Sequence, residues 1–437
     1  MLFYSTNKQA PLASLEKAVV KGLAEDKGLY MPERIKTLPQ DFFDKIDKMS
    51  FQEIAFSVAE CFFGEDIPSD DLRRIVDDTL SFDCPVRHVD GNIYALELFH
   101  GPTLAFKDVG ARFMARLLQY FIKKEGKGDS TVNVLVATSG DTGSAVANGF
   151  LGVEGIHVYV LYPKGKVSSI QECQFTTLGR NITAIEVDGV FDDCQRLVKS
   201  AFMDEELNRH MQLTSANSIN VARFLPQAFY YFHAYAQMKR SNKSDSLVIC
   251  VPSGNFGNIC AGLFGKRMGL PVKRFIASNN SNDVFYKYLQ SGKYVAKPSV
   301  QTIANAMDVG DPSNFARIYD LYGESHAAIC NDISGATYSD EQIAATIKDV
   351  YSRTGYVCDP HGACGYRALA EGLAEGETGV FLETAHPAKF KQTVDHILQS
   401  DIEIPAKLQA FMQGKKQSIS MSKEFSDFKS YLLSEGN

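Results

Sequence analysis

The chain passes from an apolar strand into a helix within the run Asn133-Val-Leu-Val-Ala-Thr-Ser-Gly-Asp-Thr-Gly-Ser-Ala145. Glycines at positions 140 and 143 allow a tight turn after the strand, and the small residues that follow favour a helix. Backbone N–H groups converge at the start of such a helix and make an anion site. The hydroxyls of Ser139 and Thr142 add donors that suit a carboxylate. The loop is therefore predicted to bind a carboxylate; the alternative is a capped turn that binds nothing.

The same order of features returns in Ser246-Leu-Val-Ile-Cys-Val-Pro-Ser-Gly-Asn-Phe-Gly-Asn258. An apolar strand precedes the glycine-bearing turn and a helix follows it, so this loop is a second anion site by the same argument. It lacks the Gly-x-Gly-x-x-Gly pattern of dinucleotide sites and the Gly-Lys-Ser/Thr ending of a P-loop. The loop therefore favours a single phosphate over NAD or ATP, and here too the alternative is a structural turn.

Short apolar runs alternate with helical patterns from about residue 90 onward. The candidate strands are Ile93–Leu98, Val132–Ala137, Val158–Leu161, Ile182–Val187, Leu247–Val251, Arg274–Ala277 and Val380–Leu382. The candidate helices between them include Gly143–Phe150, Phe191–Phe202, Val221–Lys239 and Glu341–Arg353. This alternation predicts an α/β fold in which helices cover both faces of mostly parallel sheets. In such sheets ligands bind at the carboxyl ends of the strands.

Lys107 stands in the run His100-Gly-Pro-Thr-Leu-Ala-Phe-Lys-Asp-Val-Gly110. It is the only formally charged residue between Glu97 and Asp108, apart from His100, and an amphipathic stretch follows it. An amine held at the start of a helix in apolar surroundings loses its proton more easily. A neutral amine can hold the aldehyde of pyridoxal phosphate as a Schiff base. The alternative is an ordinary solvated lysine.

A third loop follows the apolar strand in Gly379-Val-Phe-Leu-Glu-Thr-Ala-His-Pro-Ala-Lys389. The hydroxyl of Thr384, at the end of that strand, can hydrogen-bond a heteroaromatic nitrogen; the alternative is a helix-initiating threonine. Pyridoxal phosphate needs an amine, a phosphate cradle and a partner for its ring nitrogen, and an amino-acid substrate needs a carboxylate site. The four features together therefore indicate this cofactor and an amino-acid substrate.

The composition excludes several other classes of protein. The formal net charge is −7 and no Lys/Arg stripe is present, so nucleic acid is not expected as a partner. No apolar run is long enough for a membrane span, and the first residues lack the order of a signal peptide. The nine cysteines are scattered, which suits a reducing compartment, and we expect a cytoplasmic protein. Cys358, His361 and Cys364 offer only three zinc ligands where a structural site has four, so no metal is predicted.

The motifs resemble those of the threonine synthase family, which lies within the fold-type II pyridoxal-phosphate enzymes. The resemblance covers nearly the whole chain. Its most specific parts are Ser14-Leu-Glu-Lys-Ala-Val-Val-Lys-Gly-Leu-Ala-Glu-Asp-Lys-Gly-Leu-Tyr-Met-Pro-Glu33, similar to the N-terminal signature of that family, and the Gly-Asn-Phe-Gly-Asn loop that ends at Asn258. The sequence departs from the family at Gly362, where threonine is more common, and at Lys27, where glycine is common.

The resemblance implies roles for individual residues. Lys107 would bind pyridoxal 5'-phosphate covalently and act as the catalytic residue. The other implied cofactor contacts are Gly254, Asn255, Phe256, Gly257, Asn258 and Thr384. The implied substrate contacts are Thr138, Ser139, Gly140, Asp141 and Thr142 for the carboxylate, and Asn217, Ser218 and Arg223 for a phosphate group.

The resemblance also implies an architecture of two open, twisted, mostly parallel α/β lobes with an extra N-terminal domain. We place the N-terminal domain at 1–85 and the cofactor-binding region at 86–437, with a smaller α/β lobe nested at about 110–220. Ser14 is positioned to cap the first helix of the N-terminal domain, and a second helix is predicted over 51–63.

The implied reaction converts O-phospho-L-homoserine and water into L-threonine and phosphate. Three alternatives stay open from the residues. The first is another fold-type II lyase, such as a serine or threonine dehydratase, and the second is an inactive relative that binds a phosphorylated ligand. The third is a nicotinamide-dependent enzyme, which the missing glycine fingerprint disfavours. The oligomeric state, monomer or homodimer, is left undecided.

Overall fold

Three β-sheets organise the part of the chain, residues 1–125 and 131–435, that the computed structural model describes. The strands are β1 (Leu2–Ser5), β2 (Ala13–Ser14), β3 (Tyr30–Pro32), β4 (Val86–Asp90), β5 (Ile93–Glu97), β6 (Val132–Ala137), β7 (Ile156–Pro163), β8 (Ile182–Val187), β9 (Gln212–Ser215), β10 (Leu247–Pro252), β11 (Arg274–Asn279), β12 (Ile333–Thr337), β13 (Thr378–Glu383) and β14 (Ile419–Met421).

Helices connect and cover these strands. They are α1 (Leu15–Lys21), α2 (Gln40–Lys45), α3 (Phe51–Phe63), α4 (Ser69–Thr79), α5 (Lys107–Glu125), α6 (Asp141–Phe150), α7 (Ser169–Thr176), α8 (Phe191–Met203), α9 (Glu205–His210), α10 (Val221–Phe224), α11 (Ala228–Arg240), α12 (Gly257–Arg267), α13 (Val284–Ser291), α14 (Phe315–Leu321), α15 (His326–Asp332), α16 (Asp340–Thr354), α17 (Pro360–Gly372), α18 (Lys391–Leu398), α19 (Ala406–Met412) and α20 (Phe425–Glu435).

The N-terminal residues form a small antiparallel sheet with strand order β2-β1-β3 and the helices α1 to α4. The hydroxyl of Ser14 accepts a hydrogen bond from the backbone N–H of Lys17 at 3.2 Å, which caps α1 as predicted. Ser50 and Glu53 make a reciprocal capping box at the start of α3. These local hydrogen bonds explain why both helix starts could be read from the sequence.

The largest sheet has the strand order β12-β11-β10-β13-β5-β4. All its neighbouring strands are parallel except the β4–β5 pair at one edge. Every residue of β10 and of β13 is buried, because helices cover both faces at the centre of the sheet. The central strand β13 is hydrogen-bonded to both β10 and β5 and runs parallel to them. The carboxyl ends of these three strands therefore lie side by side.

A second sheet is parallel throughout, with the strand order β14-β8-β7-β6-β9. Its strands β6 to β9 lie within the lobe predicted at about 110–220. Its edge strand β14 comes from the C-terminal part of the chain, and α20 buries Phe428 and Leu432 in the same core. The domain boundaries stay a prediction, since the sheets alone do not fix them.

The predicted α/β class with mostly parallel sheets is confirmed, and most predicted elements lie within two residues of the observed ones. The predicted helix Val221–Lys239 is wrong as a single helix: α10 ends at Phe224, and α11 begins at Ala228 after a 3-10 turn. Pro226 lies in that turn, and a proline lacks the N–H that a continuous helix needs.

No helix among the described residues is long and apolar enough to cross a lipid bilayer. The nine cysteines, all of which lie in the described ranges, are free thiols.

Candidate active site

Three loops that carry predicted site residues leave the large sheet at the carboxyl ends of its strands. The loop before Lys107 follows β5, the loop that begins at Ser253 follows β10, and Thr384 follows β13. These strands are neighbours and run parallel, so their carboxyl ends lie side by side. The arrangement places the three loops where α/β sheets bind their ligands.

Lys107 is held next to the end of β13 by backbone contacts. The N–H of Phe106 donates to the carbonyl oxygen of Thr384 at 2.8 Å, and Ala105 forms an antiparallel bridge with Ala385. Lys107 is the next residue and the first residue of α5. The structure therefore brings the predicted amine and the predicted ring-nitrogen partner to one place.

The side chain of Lys107 is half-buried and makes no hydrogen bond or ion pair with the described residues. Burial lowers the pKa of Lys107 to about 8, because the charged amine loses its hydration. The negative charge of Asp141 opposes this change, whereas the positive charges of Arg223 and Lys389 add to it. An amine with this pKa is substantially neutral near pH 8 and is able to accept protons or react with an aldehyde.

The loop between β6 and α6 is braced by Thr138. Its buried hydroxyl oxygen accepts hydrogen bonds from the backbone N–H groups of Gly140 at 2.9 Å and Gly143 at 2.8 Å. Gly140 has a φ of 145°, and a side chain there would collide with Gln171. The brace fixes the turn through the acceptor sites of Thr138, and the hydroxyl hydrogen has no acceptor among the described residues.

The groups of this loop that point away from the turn suit an anion. Ser139 and Thr142 are half-buried, and no hydrogen bond within the described residues uses their hydroxyls. Their backbone N–H groups, and that of Asp141, stand at the start of α6 without a partner in the described network. This is the donor set of a helix-terminal anion site.

Asp141 brings a negative charge into this predicted carboxylate site, and a buried lysine neutralises it. The Nζ of Lys389 lies 2.6 Å from Oδ1 of Asp141, and both side chains are almost fully buried. Gln171 donates to the same oxygen at 2.9 Å, and Lys389 also donates to the carbonyl of Thr103 at 2.7 Å. Although burial acts to raise the pKa of Asp141, the charges of Lys389 and Lys107 lower it to about 2. Asp141 is therefore a permanent anion with a dedicated counter-ion.

The loop between β10 and α12 forms a cradle of backbone N–H groups. No hydrogen bond among the described residues uses the backbone N–H of Gly254, Asn255, Phe256, Gly257 or Asn258. Phe256 is left-handed, with a φ of 62°, which turns successive N–H groups toward a common centre. A side chain at position 254 would come within 2.5 Å of the carbonyl oxygen of Ala306, so only glycine fits there.

The side chain of Asn258 is oriented by two tyrosines. The hydroxyls of Tyr230 and Tyr231 each donate to its Oδ1 at 2.7 Å. The Nδ2 of Asn258 is buried and has no partner among the described residues. A buried amide donor without a partner is costly, so this group fits a ligand acceptor.

Asn255 and Ser218 connect the cradle to the segment predicted to bind a substrate phosphate. Nδ2 of Asn255 donates to the Ser218 hydroxyl at 2.7 Å, and Oδ1 of Asn255 accepts from the backbone N–H of Ser313 at 2.7 Å. Asn314 donates to both the Ser218 hydroxyl and the Asn255 carbonyl. These bonds fix the orientation of the Asn255 side chain and leave one hydrogen of Nδ2 without an acceptor among the described residues.

Asn217 and Arg223 flank this junction. Nδ2 of Asn217 donates to the carbonyl of Ala137, the residue before the Thr138 loop, at 3.4 Å. Arg223 is 2% exposed, so it is not a surface arginine. It donates to the carbonyl of Ala216 through Nη1, while its Nε has no partner in the part of the chain that the structure describes. Burial lowers the pKa of Arg223 to about 10, and the charge of Asp108 opposes that change.

Thr384 is 6% exposed and lies at the carboxyl end of β13. Its carbonyl is used by Phe106, but no hydrogen bond in the described residues uses its hydroxyl. The hydroxyl is therefore free to donate to, or accept from, a group above the sheet edge.

Comparisons with known proteins agree with this geometry along the whole chain. Residues 79–384 match the family described as pyridoxal-phosphate dependent enzyme. Residues 2–80 match the N terminus of threonine synthases, and residues 362–432 match their C-terminal part. The threonine synthase of Haemophilus influenzae is 43% identical over 433 residues, which cover 99% of this chain and 100% of the relative.

This chain belongs to the threonine synthase family. The threonine synthase of Escherichia coli is 43% identical over 408 residues, or 93% of this chain and 94% of the relative. Its crystal structure matches with a TM-score of 0.93 at 40% identity and full coverage of both chains. A pyridoxal-phosphate-bound threonine synthase from Brucella melitensis matches with a TM-score of 0.92 at 35% identity, again over the whole of both chains.

Membership of the threonine synthase family confirms the predicted fold type and the predicted cofactor class. The chain is a pyridoxal-phosphate-dependent enzyme of fold type II. The side chains present fit that cofactor on structural grounds alone. The N–H groups of the cradle and the unpartnered Nδ2 of Asn258 suit a phosphate, and the half-buried amine of Lys107 suits an aldehyde. The assignment of individual residues to these contacts stays a prediction.

Several side chains that shape this threonine synthase site were not singled out from the sequence. Lys389 pairs with Asp141, which lies 248 positions earlier in the chain. Four further side chains reach the site from other parts of the fold: Gln171, Tyr230, Tyr231 and Asn314. A lysine within the apolar segment that ends at Phe390 was the one available signal for Lys389. Nothing local marks the other four residues.

Two of the three residues considered as zinc ligands, His361 and Cys364, have other partners. His361 bonds Asp359 through Nδ1 at 2.7 Å and accepts from the N–H of Ala306 through Nε2. Cys364 donates to the carbonyl of Pro360 at 3.4 Å. The described residues contain no cluster of three or more His, Cys, Asp or Glu side chains that could hold a metal ion.

Proposed function

We propose that this chain converts O-phospho-L-homoserine and water into L-threonine and phosphate, the last step of threonine biosynthesis. Family membership supports this reaction. The structural observation that carries the proposal is the half-buried Lys107, whose amine has a pKa of about 8 and lies near Asp141 of the first anion-binding loop and near Arg223. The phosphorylated amino acid matches this loop and this arginine in having one carboxylate and one phosphate.

The proposed cofactor contacts follow from the unpartnered donors. The phosphate of pyridoxal phosphate would lie in the cradle of Gly254 to Asn258, and the amine of Lys107 would hold its aldehyde carbon. The hydroxyl of Thr384 would bond the ring nitrogen. When bound, the cofactor supplies an electron sink that stabilises negative charge on the substrate carbons. A neutral hydroxyl at the ring nitrogen does not hold a proton there, which favours elimination over transamination.

Lys107 is the proposed acid and base of the reaction. When it is not bonded to the cofactor, the amine of Lys107 would remove the proton from the α-carbon of the substrate. A pKa near 8 lets the same amine accept that proton and later release one at the γ-carbon, since both protonation states are populated at neutral to mildly alkaline pH. Phosphate would leave the γ-carbon after a second proton has been lost from the β-carbon. A water molecule would then supply a hydroxyl group to the β-carbon, and a proton would return to the α-carbon.

The two loops would fix the substrate at its two ends. The N–H groups of Ser139, Asp141 and Thr142 would bind the carboxylate, with hydroxyl help from Ser139 and Thr142. Asn217, Ser218 and Arg223 would bind the phosphate that leaves, and the unpartnered Nε of Arg223 supports this assignment. The buried Lys389 cancels the charge of Asp141, which would otherwise repel the substrate carboxylate.

The free thiols of all nine cysteines support a cytoplasmic location, which we propose on that ground. The choice between monomer and homodimer stays open.

The proposal is tested by phosphate release from O-phospho-L-homoserine. Lys107→Ala is expected to abolish both phosphate release and the visible absorbance of the bound cofactor, because it removes the only proposed covalent contact. Lys123→Ala changes an exposed lysine on the same helix α5 and should keep both.

L-Serine and L-threonine are assayed alongside as substrates. Turnover of these amino acids with none of the phosphorylated substrate would assign the chain to a dehydratase instead. Threonine formation at an unchanged rate by Lys107→Ala would remove the assigned role of Lys107.

A further inference from the structure

Glu383 is a buried acid that stands directly before Thr384, at the end of β13. Its side chain is fully buried, with 0% exposure. One carboxyl oxygen, Oε1, accepts a hydrogen bond from the backbone N–H of Asp359 at 2.5 Å. The other, Oε2, has no partner, and no cation within the described residues pairs with this carboxyl. An ionised carboxylate in that position would be strongly destabilising.

The titratable groups that face Glu383 come from three parts of the chain, and two of these groups are acids. The carboxyl of Asp359, at the start of α17, lies within hydrogen-bonding reach. Glu97 is its partner residue on the neighbouring strand β5. Tyr356 and Cys358, in the segment that leads into α17, also face it and carry no positive charge. Burial and the neighbouring acids therefore oppose ionisation of Glu383, whereas the backbone N–H of Asp359 favours it.

Both neighbouring acids have partners of their own. Glu97 bonds Nε2 of His100 at 2.8 Å, and Asp359 bonds Nδ1 of His361 at 2.7 Å. Because Nε2 of His361 accepts the N–H of Ala306, the proton of that imidazole sits on Nδ1 and points at Asp359. The carboxylate of Asp359 thus acts as an acceptor in its hydrogen bonds. Two carboxyl groups in contact form a hydrogen bond only when one of them is protonated.

We propose that Glu383 carries a proton in the working enzyme and donates it to Asp359, and that this acid pair positions the strand end that holds Thr384. Asp359 reaches the strand end directly, since its Oδ2 accepts the N–H of Ala385 at 3.2 Å. Ala385 in turn bridges to Ala105, two residues before Lys107. Glu383 acts through these contacts, so it is a positioning residue. Its link to catalysis rests on the proposed function, whereas its protonation does not.

Gly362 makes room for this acid. It lies in the first turn of α17, and a Cβ at that position would overlap the Glu383 carboxyl. Glycine weakens the interior of a helix relative to alanine, so a specific reason for it is expected. The departure from the family at Gly362 is thus explained by Glu383: the missing side chain on the helix accommodates the acid on the strand.

Burial, together with the charge of Asp359, raises the pKa of Glu383 well above its ordinary value of 4.5. Between pH 4.5 and the raised pKa, the folded state therefore keeps a proton on Glu383 that the unfolded chain has lost. The free energy of unfolding falls as the pH rises past 4.5, and this fall ends only when the folded-state pKa has been passed. Above that point the contribution of the proton to stability has been lost.

Glu383→Gln in the holoenzyme tests this, because glutamine can make both hydrogen bonds but cannot ionise. Its melting temperature minus that of the wild type should increase steadily between about pH 5 and pH 8. A difference that is constant across this range, or that decreases, would show that Glu383 is ionised in the folded protein and would overturn the proposal.

Infrared spectroscopy of the wild-type holoenzyme at neutral pH supplies a second measurement if the glutamine variant does not fold. A carboxylic-acid carbonyl band is expected, and its absence would also refute the proposal. Neither measurement depends on the substrate, so a failed turnover assay leaves this result unaffected.

A double-mutant cycle tests the fit of the pair. Gly362→Ala should lower the melting temperature of the wild type, because the methyl group overlaps Glu383, and should be tolerated in the Glu383→Ala background. A rise in melting temperature from Gly362→Ala in the wild type would show that the two residues are not matched.

Discussion

At the scale of single residues, the site is a balance of buried charges. Lys107 has no ion-pair partner, while the nearby Asp141 is committed to Lys389. Burial therefore controls the pKa of Lys107, and the surrounding charges adjust it. The same physical situation, desolvation without a dedicated partner, keeps Lys107 reactive and Glu383 protonated.

The pH dependence of cofactor uptake should report the pKa of Lys107. Only the neutral amine bonds to an aldehyde, so the rate at which the cofactor-free enzyme takes up pyridoxal phosphate should rise with pH, with a midpoint at about 8. Asp141→Asn should move the midpoint to lower pH, because it removes the anion that favours the charged amine. Asp192→Asn, at an exposed position, is the control. A midpoint near the ordinary lysine value of 10.5 would contradict the burial argument.

Removal of Lys389 should expose the charge of Asp141. We expect Lys389→Met to lower the free energy of unfolding by about 3–5 kcal/mol, because it leaves a buried carboxylate without its counter-ion. The double variant Asp141→Asn/Lys389→Met should recover much of this loss. Urea unfolding measures both effects. Lys391→Met, which breaks a pair at the surface, should have a much smaller effect. A double variant that is less stable than Lys389→Met alone would refute the pairing argument.

At the scale of elements, the helices α6 and α12 perform the same task with different supports. Each follows a buried parallel strand and begins at a glycine-bearing turn. The turn before α6 is held from inside by the hydroxyl of Thr138, whereas the cradle before α12 is held from outside by Ser218, Ser313 and Asn314. In both, a side chain of the loop fixes the turn, Thr138 in one and Asn255 in the other, and the N–H groups at the helix start have no partner among the described residues.

Thr138 and Thr142 lie four residues apart and should behave differently when changed to valine. Thr138→Val removes the acceptor of two buried N–H groups and should cost about 1–3 kcal/mol of stability. Thr142→Val should leave stability nearly unchanged and raise KM for the substrate, since its hydroxyl is free to bind a ligand. Chemical unfolding and steady-state kinetics of both variants check this. Equal losses of stability would show that the two hydroxyls have the same role.

At the scale of the whole molecule, the chain crosses between its two parallel sheets more than once. It enters the smaller sheet at β6, returns to the large sheet at β10, and adds β14 to the smaller sheet near its C-terminus. The edge of the smaller sheet is thereby covered by a distant part of the chain, which links the two sheets through the connectivity of the backbone.

Replacing Phe428 tests how much the C-terminal helix α20 contributes to the free energy of unfolding. Phe428 is fully buried, and Phe428→Ala should lower the free energy of unfolding by about 3–5 kcal/mol, through lost burial and the cavity that remains. Phe425→Ala, on the same helix α20 but half-buried, should cost clearly less. Denaturant unfolding monitored by circular dichroism gives both values. A negligible loss for Phe428→Ala would mean that the C-terminal helix is not part of the stable core.

Elements that have local signals could be predicted from the amino-acid sequence. The passage from strand through glycine turn to helix at the Thr138 and Gly254 loops follows from hydrophobic period and turn chemistry, so both loops and the start of α5 at Lys107 could be predicted. The anion-binding character of the loops is equally local, because it arises from N–H groups at a helix start.

The identity of the side chains that meet in the site could not be predicted in this way, because it depends on how distant segments pack. The pair of Asp141 with Lys389, the two tyrosines on Asn258 and the fit of Gly362 to Glu383 join residues that are far apart in the chain. The edge strand β14 has three residues, too few to show a period. Such contacts depend on packing and on the loss of water, and the spacing of residues along the chain predicts neither. The pKa values that make the site reactive arise at that level.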